Sequence, residues 1–359
     1  MVYLFLGTTA EYIKLIPVLI QLKARKIPYR LILSGQTDFS LDEFKAVAGL
    51  QKSYHTFVAK STRSSSSLFA IWALKTLVQS ILWGWKELRG QRGPRDTMIV
   101  QGDTVSALIG SLLARFYGLR LVHVEAGLRT YNLLEPFPEE ICRTVISLLA
   151  HIHFCPTQKS VRNLHAYPGR KINMKFNTSI ESLHLALTKT KADLKLPTKK
   201  KYFIFIVHRQ EHLYLRKDET AKLLNTVFAN TGNIVCYFLI HDVTGQYLEN
   251  MGLTSTLADN PKVFPIPRMP FLKFVHLLNE AEYLITDGGG NHTECYYLGK
   301  PCLILRKKSE QTEGVGENII VSENRRVLSN FMKNYKKYKR SKIKVNTWPS
   351  QVIMENIAQ

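Results

Sequence analysis

At 359 residues the chain has room for two domains of ordinary size, each with its own core. Hydrophobic residues make up 45% and aromatic residues 10%, which excludes global disorder. Lys and Arg number 49 against 28 Asp and Glu, a formal net charge of +21, so an anionic partner has to be sought among nucleic acids, membrane surfaces and small molecules.

The N-terminus, MVYLFLGTTAEYIKL, has no basic region ahead of its apolar run and no small-residue cleavage site. It reads as a first core strand, and secretion is not expected. VYLFLG (2–7), YRLILSG (29–35), DTMIVQGD (96–103), RLVHVEAG (120–127) and HIHFCPT (151–157) lack polar alternation, as strands covered on both faces do. Helix-like runs, EYIKLIPVLIQLKARK and SALIGSLLARFYG, fall between them, so a parallel doubly wound sheet is expected. Residues 68–90 are apolar with Trp72, Trp83 and Trp85, but Lys75 and Gln79 interrupt the run, which disfavours a membrane span. The segment reads as a core helix, with an interfacial helix as the second reading.

A second series follows: YFIFIVH (202–208), IVCYFLIH (234–241), KVFPIP (262–267), YLITDGG (283–289) and PCLILR (301–306). The expected architecture is α/β, two Rossmann-like doubly wound domains facing across a cleft. Residues 1–180 form the first domain and 181–345 the second, with a polar joining stretch at about 177–200. Residues 346–359 form a C-terminal segment that packs back on the first domain. The five cysteines (Cys142, Cys155, Cys236, Cys295, Cys302) are odd in number and lack CxxC spacing, so disulfides and zinc are not expected and a reducing cytoplasm fits. No His or carboxylate spacing forms a recognisable metal-ligand set.

Nine basic residues and no acidic one lie between Arg325 and Lys344, with Tyr335 and Tyr338 interleaved. The run reads either as a solvated face or as a patch drawn to anionic lipid headgroups; nucleic acid is not expected, because no recognition motif stands nearby.

Ligands of such sheets sit beyond the carboxyl ends of the strands. Those ends carry Gly7-Thr8-Thr9, Ser34-Gly35-Gln36, Gln101-Gly102-Asp103-Thr104, Glu125-Ala126-Gly127, His208-Arg209-Gln210-Glu211, His241-Asp242 and Asp287-Gly288-Gly289-Gly290. A glycine triplet between a strand and a helix leaves backbone N–H groups free at a helix N-terminus, an arrangement suited to phosphate. Glu294, in the first turns of that helix, suits ribose hydroxyls. A nucleotide diphosphate on the second domain is therefore expected, with the first domain's carboxylates facing what it carries.

GTTAEYIK, SGQ, QGDT, HVEAGLRT, PFPEEICR, FNTSIESL, HRQE, TDGGGNHTE and LGKPCLILRKKSEQTEGVGEN follow one another along nearly the whole chain. In this order they resemble the UDP-N-acetylglucosamine 2-epimerase family, whose fold is that of the GT-B glycosyltransferases. The resemblance is nearest to a branch ending in E-G-x-G-E-N, here Glu313 to Asn318. It implies that Asp103, Glu125 and Glu139 are catalytic carboxylates and His208 an essential histidine near the diphosphate. It implies the phosphate turn at Gly288, Gly289 and Gly290, and ribose binding by Glu294. Lys14, Arg143 and Glu211 stand at further family positions, and Gln36 and His241 join them as strand-end candidates. Glu135 and Glu140 are read as loop or helix-start carboxylates.

The implied reaction removes the C2 proton as UDP leaves C1, then re-adds UDP with a proton delivered from the other face. It needs acid and base groups on both faces of the sugar and no cofactor. Three departures stand out. Thr9 and Ala10 replace an Arg-Pro pair, Gly288 replaces a serine, and SEQTE lacks an arginine; Arg306, Lys307 and Lys308 are candidates to replace the lost cations.

Three functions are open at this level. The first is a 2-epimerase for UDP-GlcNAc and UDP-ManNAc serving bacterial-type surface polysaccharide synthesis, including a hydrolysing form. The second is a GT-B glycosyltransferase with a membrane-associated acceptor, and the third a non-catalytic nucleotide-sugar sensor. A homodimer is implied by the family. The expected location is the cytoplasm, with a peripheral position at the inner face of the membrane if the basic run meets lipid.

Overall fold

The computed structural model describes residues 1–37, 43, 54–57, 66–88, 96–132, 137–191, 194–254, 257 and 259–357. Glu135 lies outside them. The chain divides into two compact units, residues 1–182 with 345–359, and residues 183–344.

The first unit is built on a seven-stranded parallel sheet. Its strands are β1 (Val2–Leu6), β2 (Tyr29–Leu33), β3 (Tyr54–Thr56), β4 (Thr97–Gln101), β5 (Arg120–Val124), β6 (Ile152–Cys155) and β7 (Arg170–Asn173), in the order β3-β2-β1-β4-β5-β6-β7. Every residue of β1 and β4 is buried, which accounts for their unbroken apolar sequences. Helix α1 (Thr9–Ala24) starts at a capping box: the Thr8 side chain accepts from Glu11 N–H, while Glu11 Oε2 accepts from the Gly7 and Thr8 amides at 2.6 and 2.8 Å. Gly7 is required by crowding, since a Cβ there would fall 1.9 Å from Ser106 Oγ.

Helix α2 (Ser66–Glu87) is long and apolar enough to cross a membrane by length and composition. It carries Trp72, Thr76, Ser80 and Trp83 on a buried face, and Trp72 Nε1 donates to Ser34 O at 3.1 Å. Its opposite face leaves Leu74, Val78, Leu82 and Trp85 exposed, so only half of the helix meets the core-helix expectation. Helices α3 (Val105–Phe116) and α4 (Glu139–Leu149) lie beside it in turn.

The joining stretch expected at 177–200 is in part a helix, α6 (Ser179–Lys189), which follows the short α5 (Gln158–Asn163). Ile180, Leu183 and Ala186 recur at i, i+3, i+6 and are buried, a periodicity masked by the polar residues between them. The last helix, α12 (Pro349–Ile357), belongs to the first unit. Its Ser350 N and Oγ donate to Glu181 at 2.7 and 2.6 Å, and it packs Ile353 and Met354 into the interior beside α1.

The second unit has a six-stranded parallel sheet of β8 (Tyr202–Ile206), β9 (Val235–Ile240), β10 (Val263–Pro267), β11 (Leu284–Thr286), β12 (Cys302–Ile304) and β13 (Ile319–Val321), in the order β10-β9-β8-β11-β12-β13. Its helices are α7 (Lys217–Ala229), α8 (Asp242–Asn250), α9 (Phe271–Glu280), α10 (Gly289–Leu298) and α11 (Arg325–Asn334). The basic run thus begins as α11, which buries Leu328, Phe331 and Met332. Tyr335 and Tyr338 also turn toward the core, leaving the lysines outward. All five cysteines are buried and unbridged.

In each unit the strand order reverses at one place, between β1 and β4 and between β8 and β11. A doubly wound sheet opens a crevice at the carboxyl ends of such a pair.

Candidate active site

In the first unit, Glu125 ends β5 with φ +64°, in the left-handed region that a non-glycine residue occupies at a cost of roughly 1–3 kcal/mol. The side chain is 7% exposed and fully engaged. Lys14 Nζ, on α1, donates to its two oxygens at 2.8 and 2.6 Å. Asn177 Nδ2 donates to Oε1 at 2.5 Å, and Gln101 Nε2 donates to Oε2. Three separate stretches of sequence therefore converge on one carboxylate.

Asp103, two residues beyond β4, accepts at one oxygen, Oδ2, from Arg143 Nε at 2.7 Å, with Nη2 2.6 Å from the same oxygen. Arg143 is held in turn by Glu140, 3.0 Å from its Nη1. Glu140 also accepts from Thr130 N and Oγ1 at 3.0 Å each. Burial acts to raise the Glu140 carboxyl, but the Thr130 amide and the Arg143 guanidinium hold it below the usual range. Glu140 stands in the first turn of α4, as a helix-start carboxylate, and there it also fixes Arg143. Glu139, its neighbour, stands half-buried in the first turn of α4. Gln36 Oε1 accepts from Ser106 N and Oγ at 3.0 and 2.5 Å.

In the second unit the centre of the arrangement is Asp287, fully buried at the end of β11. Its carboxylate accepts from the His208 amide at 3.0 and 3.1 Å and from the Arg209 amide at 2.9 Å. His208 Nδ1 lies 3.0 Å away, placed as an ion-pair partner, and His212 Nδ1 lies at 3.1 Å. Burial alone would raise this carboxyl; the two histidines and the Arg209 amide overcome it and hold the group well below the usual carboxylate range. His241 stacks on His208 with ring centroids 4.9 Å apart, and burial together with the His208 charge pushes it down to about 4.

Gly288 caps α10 without a side-chain hydrogen bond, and a Cβ at Gly290 would meet nothing within 4 Å. The turn is open at Gly290, while the Gly288 amide already donates to Thr286 Oγ1 at 2.9 Å. The Arg306 guanidinium stands beside it, with Nη1 3.7 Å from where a Gly289 Cβ would be, and is steadied by Glu310 at 3.1 Å and by Asp287 O at 3.0 Å. Of the three candidates to replace the lost cations, Arg306 is therefore the one at the turn. Glu294, half-buried on α10, accepts from Asn291 Nδ2 at 2.8 Å. Glu211 pairs with Arg209 at 2.6 and 2.9 Å.

Residues 22–351 match the family model described as UDP-N-acetylglucosamine 2-epimerase. The chain belongs to this family. A UDP-N-acetylglucosamine 2-epimerase of Campylobacter jejuni is 28% identical over 332 residues, 88% of this chain and 83% of its own length. One from Neisseria meningitidis is 27% identical, over 90% and 88% of the two chains. Among solved structures, the Neisseria meningitidis UDP-GlcNAc 2-epimerase bound to UDP-GlcNAc aligns with TM-score 0.83 over 99% of both chains at 23% identity. The Methanocaldococcus jannaschii enzyme in complex with UDP-GlcNAc and UDP aligns with TM-score 0.82 at 23% identity, over 100% of this chain and 99% of the other. The fold is thus the α/β, GT-B-like fold of the 2-epimerases.

The strand-end residues that motif order alone did not select are Asp287, Gln101 and Asn177. Each stood inside a quoted motif (TDGGG, QGDT, FNTSI), but only the folded chain shows which of their atoms touch Glu125 or His208.

Proposed function

We propose that this protein is a UDP-GlcNAc 2-epimerase, interconverting UDP-GlcNAc and UDP-ManNAc. The family match across 22–351 and the relatives' activities support this reading. The observation that carries it is the pair of carboxylate–cation arrangements in the first unit, Glu125 with Lys14 and Asp103 with Arg143. A transferase needs one base, whereas epimerisation needs proton transfer on both faces of C2. One carboxylate takes the C2 proton while the C1–O bond breaks and its electron pair leaves with UDP, giving the glycal. UDP then re-forms the C1–O bond as another carboxyl group protonates C2 from the opposite face. Glu139 is the third group available for this exchange. The Gly289 and Gly290 amides and Arg306 carry the leaving diphosphate, His208 assists it, and Glu294 holds the ribose. Lys14 orients Glu125, and Arg143 positions Asp103. The comparisons do not favour the glycosyltransferase.

Proton NMR of the protein with UDP-GlcNAc in D2O tests this. UDP-ManNAc carrying deuterium at C2 is expected. Free N-acetylmannosamine with UDP would mark the hydrolysing form, and absence of any C2 exchange would end the epimerase reading.

The homodimer is part of the same reading. Leu74, Val78, Leu82, Trp85, Phe116 and Leu148 are exposed on the neighbouring helices α2, α3 and α4. Three helices about 10 Å apart and roughly 20 Å long present on the order of 600 Å2, near what one partner buries in a standard interface. Sedimentation is expected to show a dimer, and a Val78→Glu/Leu82→Glu variant a monomer; a parent chain that sediments as a monomer would exclude it.

A further inference from the structure

Part of the positive charge that the epimerase reading leaves unused gathers in one groove. A groove of about 1090 Å3 runs along the second unit between α7 and α11. Lys222, Lys307, Arg325, Arg326 and Lys333 line it, and none of them has a carboxylate within ion-pairing distance among the described residues. Its two glutamates do not answer that charge, because Glu323 is gripped by Arg216 at 2.7 and 2.8 Å and Glu219 lies 4.0 Å from the same arginine. Arg325 and Arg326 also occupy the first turn of α11, which holds no acidic residue. Cations there oppose the helix dipole. His212, 3% exposed, completes the lining, and its Nε2 makes no hydrogen bond although Glu323 Oε1 is 3.4 Å away. None of His208, Gly288–Gly290 and Glu294 lines the groove.

We propose that this groove is a second anion site, separate from the glycine turn, for a ligand bearing two or more phosphate groups. Five cations exceed what one phosphate can neutralise. Their spread along two helices suits phosphates in a row or clustered at a lipid surface, and the two arginines offer bidentate contacts. A bound anion would also relieve the like-charge crowding at the start of α11.

The test compares three forms of the full chain: parent, Arg325→Glu/Arg326→Glu, and Lys199→Glu/Lys200→Glu. The last makes the same charge change at exposed residues outside the groove lining. Each is titrated with tripolyphosphate by calorimetry and sedimented with vesicles of phosphatidylglycerol and phosphatidylcholine in equal parts. Glutamate in a first helical turn favours the helix, so the groove variant should fold and turn over UDP-GlcNAc. Expected is binding by the parent, a loss of roughly tenfold or more in the groove variant, and little change in the other. Binding to tripolyphosphate alone identifies a soluble oligophosphate as the ligand, and binding to vesicles alone identifies headgroups at a bilayer. No binding of either probe, or equal loss in both variants, would overturn the proposal, the second because binding would then be general attraction to a basic protein.

Discussion

Glu125→Gln is expected to slow C2 exchange by roughly 10^2–10^4-fold, the range that a positioned acid or base contributes. Glutamine keeps the shape and can still accept from Asn177 through its carbonyl oxygen, so loss of architecture is not the cause of the effect. What disappears is a group able to take and return a proton, together with the charge partner of Lys14. Lys14 is 18% exposed at its side chain and would be left facing a neutral amide, so a melting temperature lower by a few degrees should accompany the kinetic loss. A variant that exchanges C2 at the parent's rate would remove Glu125 from the mechanism and leave Asp103 and Glu139 to account for both faces.

The second large effect is expected at Asp287→Asn. Asparagine places an N–H2 where the carboxylate now receives His208, His212 and two amides, so a buried charge arrangement is broken. Breaking such an arrangement costs about 3–5 kcal/mol, or roughly 6–20 °C in the melting transition of a unit this size. Turnover should fall too, because His208 loses its anchor. The pH dependence identifies the cause. The native carboxyl titrates below its ordinary 3.8, so its contribution is present above the unfolded value and is lost as pH falls through the native one. The difference between parent and variant should therefore be full above about pH 5 and shrink below pH 4. A difference that stays constant down to pH 3 would assign the effect to hydrogen-bond shape and not to charge.

Most of the sheet architecture is legible in the sequence because buried parallel strands are written as unbroken apolar runs, and β1, β4 and β8 could be read directly. The strands that escaped were those without such a run. β7 (RKIN), β3 (YHT) and β13 (IIV) are all sheet-edge strands, β7 with no buried residue and β13 with one. The helix α6 escaped for the opposite reason, since its apolar positions are spaced within a polar stretch. The site divides along a similar line. Strand ends and motif order single out Asp103, Glu125, His208 and the glycine turn as candidates. The partners that set their behaviour (Gln101 and Asn177 on Glu125, Asp287 on His208, Glu140 on Arg143) are fixed by contacts across long sequence separations. Glu139 and Glu140 illustrate the limit: adjacent and chemically identical in sequence, they are separated only by which way α4 turns each one.

The return of α12 to the first unit bears on how the protein is made. During synthesis, residues 183–344 emerge between the two parts of that unit, so at 5–20 residues per second its sheet waits about 8–30 s for its final helix. Until then Glu181 has no Ser350 to accept from, and the face of α1 that α12 covers stays bare. The second unit, continuous in sequence, is free to fold in that interval. The order of completion on the ribosome is thus the reverse of the order of the sheets.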